Sequence, residues 1–183
     1  MGKYSDFPRS PNDRYLTPLK AALPLRRFLT NVATFAEPCS ADGRLIRHVE
    51  SFGPLCIHSG DIQDGVDALT DPALRKLIVD VIITNPPYVW AVLKAMLELF
   101  PTIAPTWLLL EATFKHKVHA VPFMELCSDI VSVGQIRWFE GTKCSSFEHY
   151  AWYRFDAKHT GGTLFHPRQT FPAIRPERPA AAA

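Results

Sequence analysis

A chain of 183 residues, 47% hydrophobic and 21% charged, has the material for one ordinary domain and lacks the composition of a disordered chain. Its net charge of +2 permits nucleic-acid binding without demanding it, since dedicated binding domains run more basic. Four cysteines (Cys39, Cys56, Cys127 and Cys144) are spread with no CxxC pair, which argues against a disulfide framework or zinc site and for free thiols in a reducing compartment.

Residues 1–14 read as an extended arm, polar and proline-punctuated, unlike a signal peptide. Pro18 to Leu29 carries Leu19, Leu23, Leu25, Phe28 and Leu29 in a short helix broken or entered near Pro24. Asn31 to Ala36 is a short strand leading into Glu37-Pro38-Cys39-Ser40-Ala41-Asp42-Gly43. Leu45, Ile46, Val49 and Phe52 then recur at helical spacing, and Gly53 stands where that helix should stop. Pro54 to Ser59 gives a second strand, followed by Gly60-Asp61; residues 62–78 read as a loop with a helical turn or two around Pro72 to Ile78. Val79 to Thr84 is apolar and β-branched apart from Asp80 and Thr84, the composition of a buried parallel strand.

Val89 to Phe100 places Val92, Leu93, Met96, Leu97 and Phe100 on one helical face, and Trp107 to Glu111 is a further strand. Phe114 to Cys127 is a mixed, basic loop with a short helix. Its His116 and His119, flanked by Lys115 and Lys117, suit a solvated surface better than a metal site. Ile130 to Phe139 and Phe147 to Phe155 are strands joined by a linker over 140–146 with hairpin chemistry. Strands alternate with helices first and two strands then come close together. The fold class expected is α/β, a mostly parallel sheet with a late antiparallel strand over residues 15–156. Residues 157–183 are expected to be an irregular and then disordered tail. No apolar stretch reaches the ~20 residues of a membrane span, so a cytoplasmic location is expected.

Asn85-Pro86-Pro87-Tyr88 ends the strand 79–84, because two prolines supply no N–H to a ladder and restrict the residue before them. An amide and an aromatic ring therefore sit at the carboxyl end of a central strand, where open α/β sheets bind ligands. Asn-Pro alone is an ordinary turn signal; the full strand-NPPY combination points to a site. Upstream, one strand ends in the turn Glu37 to Gly43 and another in Asp61, 18 residues beyond Gly43. That spacing suits a nucleotide unit whose first turn approaches the cofactor and whose later acid accepts ribose hydroxyls. The turn lacks GxGxxG and carries Glu37, which opposes a pyrophosphate but suits an ammonium or sulfonium, as in S-adenosylmethionine. Read singly, Glu37 could cap the following helix and Asp61 could be a turn residue.

DRYLTP, FAEPCSADGRL, a later GD and DVIITNPPY, in that order, resemble the amino-group DNA methyltransferases, the small adenine-modifying kind found in phages and prophages. The likeness covers roughly residues 13–155 and implies a Rossmann-like class I methyltransferase fold with S-adenosylmethionine as cofactor. It implies that Tyr15, Thr17 and Pro18 cradle the cofactor, that Glu37, Pro38, Cys39 and Gly43 form its floor, and that Asp61 binds ribose, with Asp64 and Asp67 as rivals. The family turn usually has glycine where this chain has Ala41, and a methyl there could narrow the pocket.

By the same resemblance, Asn85 Oδ1 and the Pro86 carbonyl accept the two N–H bonds of an aromatic amine, Pro87 stiffens the turn, and Tyr88 stacks on a flipped base. NPPY is shared with methylators of RNA guanine and protein glutamine, and Tyr15 to Pro18 favour DNA adenine. An inactive binding subunit is the remaining alternative. Lys115, Lys117, Arg137, Lys143 and Arg154 are candidate phosphate contacts. Trp138, Trp152 and Tyr153 read better as core or hairpin aromatics. Loose sequence preference is expected, or specificity supplied by a short loop around 111–127 or 140–146.

Overall fold

The computed structural model describes residues 15–138 and 146–171; the expected arm, most of the 140–146 linker with Lys143, and the last part of the tail lie outside them. Seven strands form one sheet in the order β2-β1-β3-β4-β6-β5-β7. They are β1 (Thr34–Glu37), β2 (Leu55–Ser59), β3 (Val81–Thr84), β4 (Thr106–Glu111), β5 (Cys127–Gln135), β6 (His149–Phe155) and β7 (Leu164–His166). Strands β2, β1, β3 and β4 pair in parallel, and β6 runs antiparallel to both β4 and β5. This is the mostly parallel sheet with a late antiparallel strand that the alternation of elements predicts.

Period-two alternation decides which side chains enter which of two cores. Ile82, Leu108, Leu110 and Tyr153 face the layer made by α4 (Trp90–Ile103), which also takes Leu93, Met96, Leu97 and Phe100. Phe35, Ile83, Trp107, Leu109 and Trp152 face the opposite layer, covered by α1 (Leu19–Ala22) and α2 (Arg44–Glu50). Pro24 has the effect its ring predicts, since α1 passes into a 3-10 turn over Leu23–Phe28 instead of continuing. The fully buried Trp152 donates its indole N–H to the Ala21 carbonyl at 2.8 Å, fastening α1 to the sheet. Trp152 and Tyr153 are thus core residues.

Three local findings refine the sequence reading. Asp80 lies outside β3, and its Oδ2 accepts the amides of Ala33 and Thr34 at 2.8 Å each, tying the entry of β1 to that of β3. Residues 60–78 hold a 3-10 turn (Ile62–Asp64) and α3 (Pro72–Arg75) and no strand, so β2 is the edge of the sheet. The segment 157–183, expected to be irregular, contributes β7, which pairs with β5 in parallel. His166 Nε2 meets Asp129 Oδ1 at 2.8 Å there, and Thr163 donates to the Cys127 carbonyl. A short strand with side-chain anchors carries little hydrophobic period to be read from sequence.

Among the described residues no helix is long and apolar enough to cross a membrane, and no cluster of three or more His, Cys, Asp or Glu could hold a metal ion.

Candidate active site

A cavity of about 350 Å³ opens at the carboxyl ends of β1, β2 and β3. Small-molecule sites run roughly from 300 to 1,000 Å³, so the volume suits a ligand of nucleoside size. Tyr15, Thr17, Glu37, Pro38, Cys39 and Asp61 line it, together with Asn85 and Pro87. Segments as far apart in sequence as Tyr15 and Met96 therefore converge on one space. Pro18, Gly43, Pro86 and Tyr88 lie off the lining. Pro18 precedes α1 at its cap and Gly43, at φ 72, precedes α2. Of the two rivals to Asp61, Asp67 lines the cavity and Asp64 does not.

Glu37 is the electrostatic centre of the floor. Its side chain is fully buried, and Oε1 accepts the Cys39 amide at 3.0 Å. Oε2 has no hydrogen-bond partner among the described residues, and the neighbouring Thr84 hydroxyl offsets only part of the cost of burial. Burial pushes the carboxyl up to about 8. A buried carboxyl with an idle oxygen on a cavity is costly unless a ligand completes it. An ammonium or sulfonium would do so, whereas a pyrophosphate would be repelled by the ionised form. The cavity therefore fits a cationic ligand of nucleoside size. Burial also raises the Cys39 thiol, so this cysteine is an inert wall and not a nucleophile.

Asp61 is almost wholly buried and both its oxygens are engaged by backbone. Oδ2 accepts the Ala41 amide at 2.8 Å, and Oδ1 accepts the Gln63 amide at 3.0 Å, starting the 3-10 turn. It thus joins the tip of β2 to the turn after β1. Ala41 has φ 50, the left-handed backbone that glycine adopts freely, and it lines the cavity. Gly60 is required for a different reason. A Cβ there would meet Val66 Cγ1 at 2.6 Å, and Val66 forms part of the cavity wall.

Asn85 is held from two sides. Its Nδ2 donates to the Tyr15 carbonyl at 3.0 Å, and its Oδ1 accepts the Tyr88 hydroxyl at 3.0 Å. The upstream Tyr15 element therefore packs directly on the NPPY turn. Around Asn85, aromatic rings follow one another. Tyr88 stacks on Tyr150 at 6.2 Å, Tyr150 meets Trp138 edge-on at 5.2 Å, and Trp138 meets Tyr15 at 5.3 Å. In this arrangement the Tyr88 hydroxyl lies on Asn85 and its ring lies against Tyr150.

Sequence reasoning missed the apolar wall made by Val66, Ala68 and Leu69, which sits in an irregular segment with no period to read. Val92 and Met96 also line the cavity, and the helical face of α4 could have indicated them. The basic candidates disperse. Lys117 pairs with Glu111 at 2.8 Å, Lys115 lies over the Phe165 ring, and Arg154 bonds Ser128 within the sheet; Arg137 is exposed.

No protein-family model matches the chain, and no curated protein matches it by sequence. Among solved structures it is similar to a Pyrococcus horikoshii protein provisionally named an RNA methyltransferase, with TM-score 0.60 and 17% identity over 81% of this chain and 90% of that one. A looser likeness, TM-score 0.42 and 12% identity over 77% of this chain and 94% of the other, is to a release-factor-specific protein-(glutamine-N5) methyltransferase from Alicyclobacillus acidocaldarius. The likeness to the Pyrococcus protein, with the strand order above, gives the chain the α/β Rossmann-like fold of class I methyltransferases.

Proposed function

We propose that this chain is an S-adenosylmethionine-dependent methyltransferase acting on the exocyclic amino group of adenine in DNA. One observation carries the reading: the Asn85 carboxamide and the buried Glu37 carboxyl line the same cavity. Glu37, Pro38, Cys39, Thr17 and Tyr15 would hold the cofactor, and Asp67 or Asp61, which line the same cavity, would take its ribose. When bound, S-adenosylmethionine supplies an electrophilic methyl group on a cationic sulfur. The chain supplies geometry. An aromatic amine is a poor nucleophile because its lone pair is delocalised into the ring. Asn85 Oδ1 and the Pro86 carbonyl accept its N–H groups, draw the nitrogen toward tetrahedral geometry and stabilise the charge that develops there. The rings of Tyr15 and Trp138, packed on each other near Asn85, suit a flat acceptor.

A base in RNA is a second reading. The likeness to the Pyrococcus protein favours it, as does the absence, among the described residues, of a second lobe to grip a duplex. Restriction protection and nucleoside mass spectrometry of expressing cells separate the two. Methyladenine in DNA is expected. Methylguanine gained in RNA, with DNA unchanged, moves the assignment to RNA, and methylated glutamine with neither overturns both. Asn85→Ala should abolish turnover while calorimetry with S-adenosylmethionine stays near wild type. Full turnover in that variant sinks the mechanism.

A further inference from the structure

The Tyr88 hydroxyl touches two groups that can only accept. It lies 3.0 Å from Asn85 Oδ1 and 3.2 Å from the Leu109 carbonyl oxygen. The orientation of Asn85 is not free to change. Its other end meets the Tyr15 carbonyl at 3.0 Å, which demands the amide nitrogen there and so leaves Oδ1 facing Tyr88. One hydroxyl proton thus serves two acceptors. We propose, resting on the methyltransferase reading, that the Tyr88 hydroxyl is a stand-in for the substrate's N–H. It donates to Asn85 Oδ1 while the acceptor site is empty and turns to the Leu109 carbonyl when an acceptor amine arrives. Neither state leaves the hydroxyl proton idle, and the ring itself need not move, because it packs against Tyr150 throughout. Through its hydroxyl, Tyr88 is then a positioning residue that keeps Asn85 aimed.

Tyr88→Phe removes the hydroxyl and keeps the ring, so it separates the two roles, with Tyr88→Leu as the variant that loses both. The chain has only three asparagines, Asn12, Asn31 and Asn85, so asparagine labelled with nitrogen-15 gives an assignable side-chain amide spectrum. In Tyr88→Phe the Asn85 amide signals should shift and their hydrogens exchange faster. Turnover should fall about tenfold or more, with S-adenosylmethionine affinity unchanged. An Asn85 signal unmoved by Tyr88→Phe overturns the proposal. So does full turnover in Tyr88→Phe with loss only in Tyr88→Leu, which is the signature of stacking. If the wild-type protein transfers no methyl group, the functional reading fails, and the amide spectrum still decides whether Tyr88 holds Asn85.

Discussion

Asp61 reaches back across the turn after β1 to accept the Ala41 amide at 2.8 Å, while its second oxygen holds the Gln63 amide at 3.0 Å. One carboxylate thereby fixes both lips of the cavity to each other. Hydrogen bonds to charged groups contribute roughly 1.5–3 kcal/mol each, and both are shielded from water here. Asp61→Ala is expected to destabilise the fold by about 2–4 kcal/mol and to weaken S-adenosylmethionine binding at least tenfold. Urea unfolding and calorimetry read the two effects. Wild-type values for both would mean that the clamp is idle.

Ala41 is the strained partner in that link. Its φ of 50 is a conformation that costs an L-residue roughly 1–2 kcal/mol and glycine almost nothing. Glycine recovers this strain but loses more entropy on folding, so Ala41→Gly should stabilise the protein by about 0.5–1 kcal/mol. Cofactor affinity should be equal or better, since glycine takes a methyl away from a residue that lines the cavity. A destabilised variant in urea titration would contradict the strain argument.

The strand that ends at Asn85 was legible because composition and breaker residues agree there: β-branched residues demand burial and Pro-Pro forbids continuation. The alternation of strands and helices similarly predicted the sheet and its antiparallel element. Asp80 was legible only as an exception to the apolar run. Its purpose depends on Ala33 and Thr34, forty-six or more residues away, and no local pattern encodes such a partner. Asp61 was legible as a site residue but not as a backbone clamp. Spacing can bring an acid to the end of a strand, whereas the atoms it bonds are decided by how two turns fold against each other. The β7 strand escaped for lack of length. Three residues without alternation are held by His166 and Thr163 anchors and not by a hydrophobic face.

Glu37 makes a prediction about pH with a definite sign. Its folded-state value of about 8 lies above the ordinary 4.5, so between those values the folded chain holds a proton that the unfolded chain releases. Stability from this group is fully present below about pH 4.5 and is lost as pH rises through about 8. At about 1.4 kcal/mol per unit the total is a few kcal/mol, and Glu37→Gln should flatten that slope. Binding of a cation has the opposite sense. The cation needs the carboxylate, so affinity for S-adenosylmethionine should rise with pH toward about 8 and binding should release a proton. Calorimetry in buffers of different ionisation enthalpy measures that release, and binding without it would assign the charge recognition elsewhere.

Trp138 tests whether the acceptor is flat. It stands 5.3 Å from Tyr15 and 5.2 Å from Tyr150, in the ring series that leads to Asn85. Stacking a base on an aromatic side chain is worth roughly 1–3 kcal/mol, about ten- to a hundredfold in affinity. Leucine at this position keeps an apolar contact with the neighbouring rings but offers no face. Trp138→Leu should therefore raise the acceptor KM about tenfold or more while leaving kcat and S-adenosylmethionine affinity close to wild type. A glutamine side chain has one small amide plane on a flexible stem and gains little from such a ring. An unchanged KM with a nucleic-acid substrate would mean that this wall does not touch the acceptor. A KM effect confined to nucleic acid would place a base, and not an amide, beside Asn85.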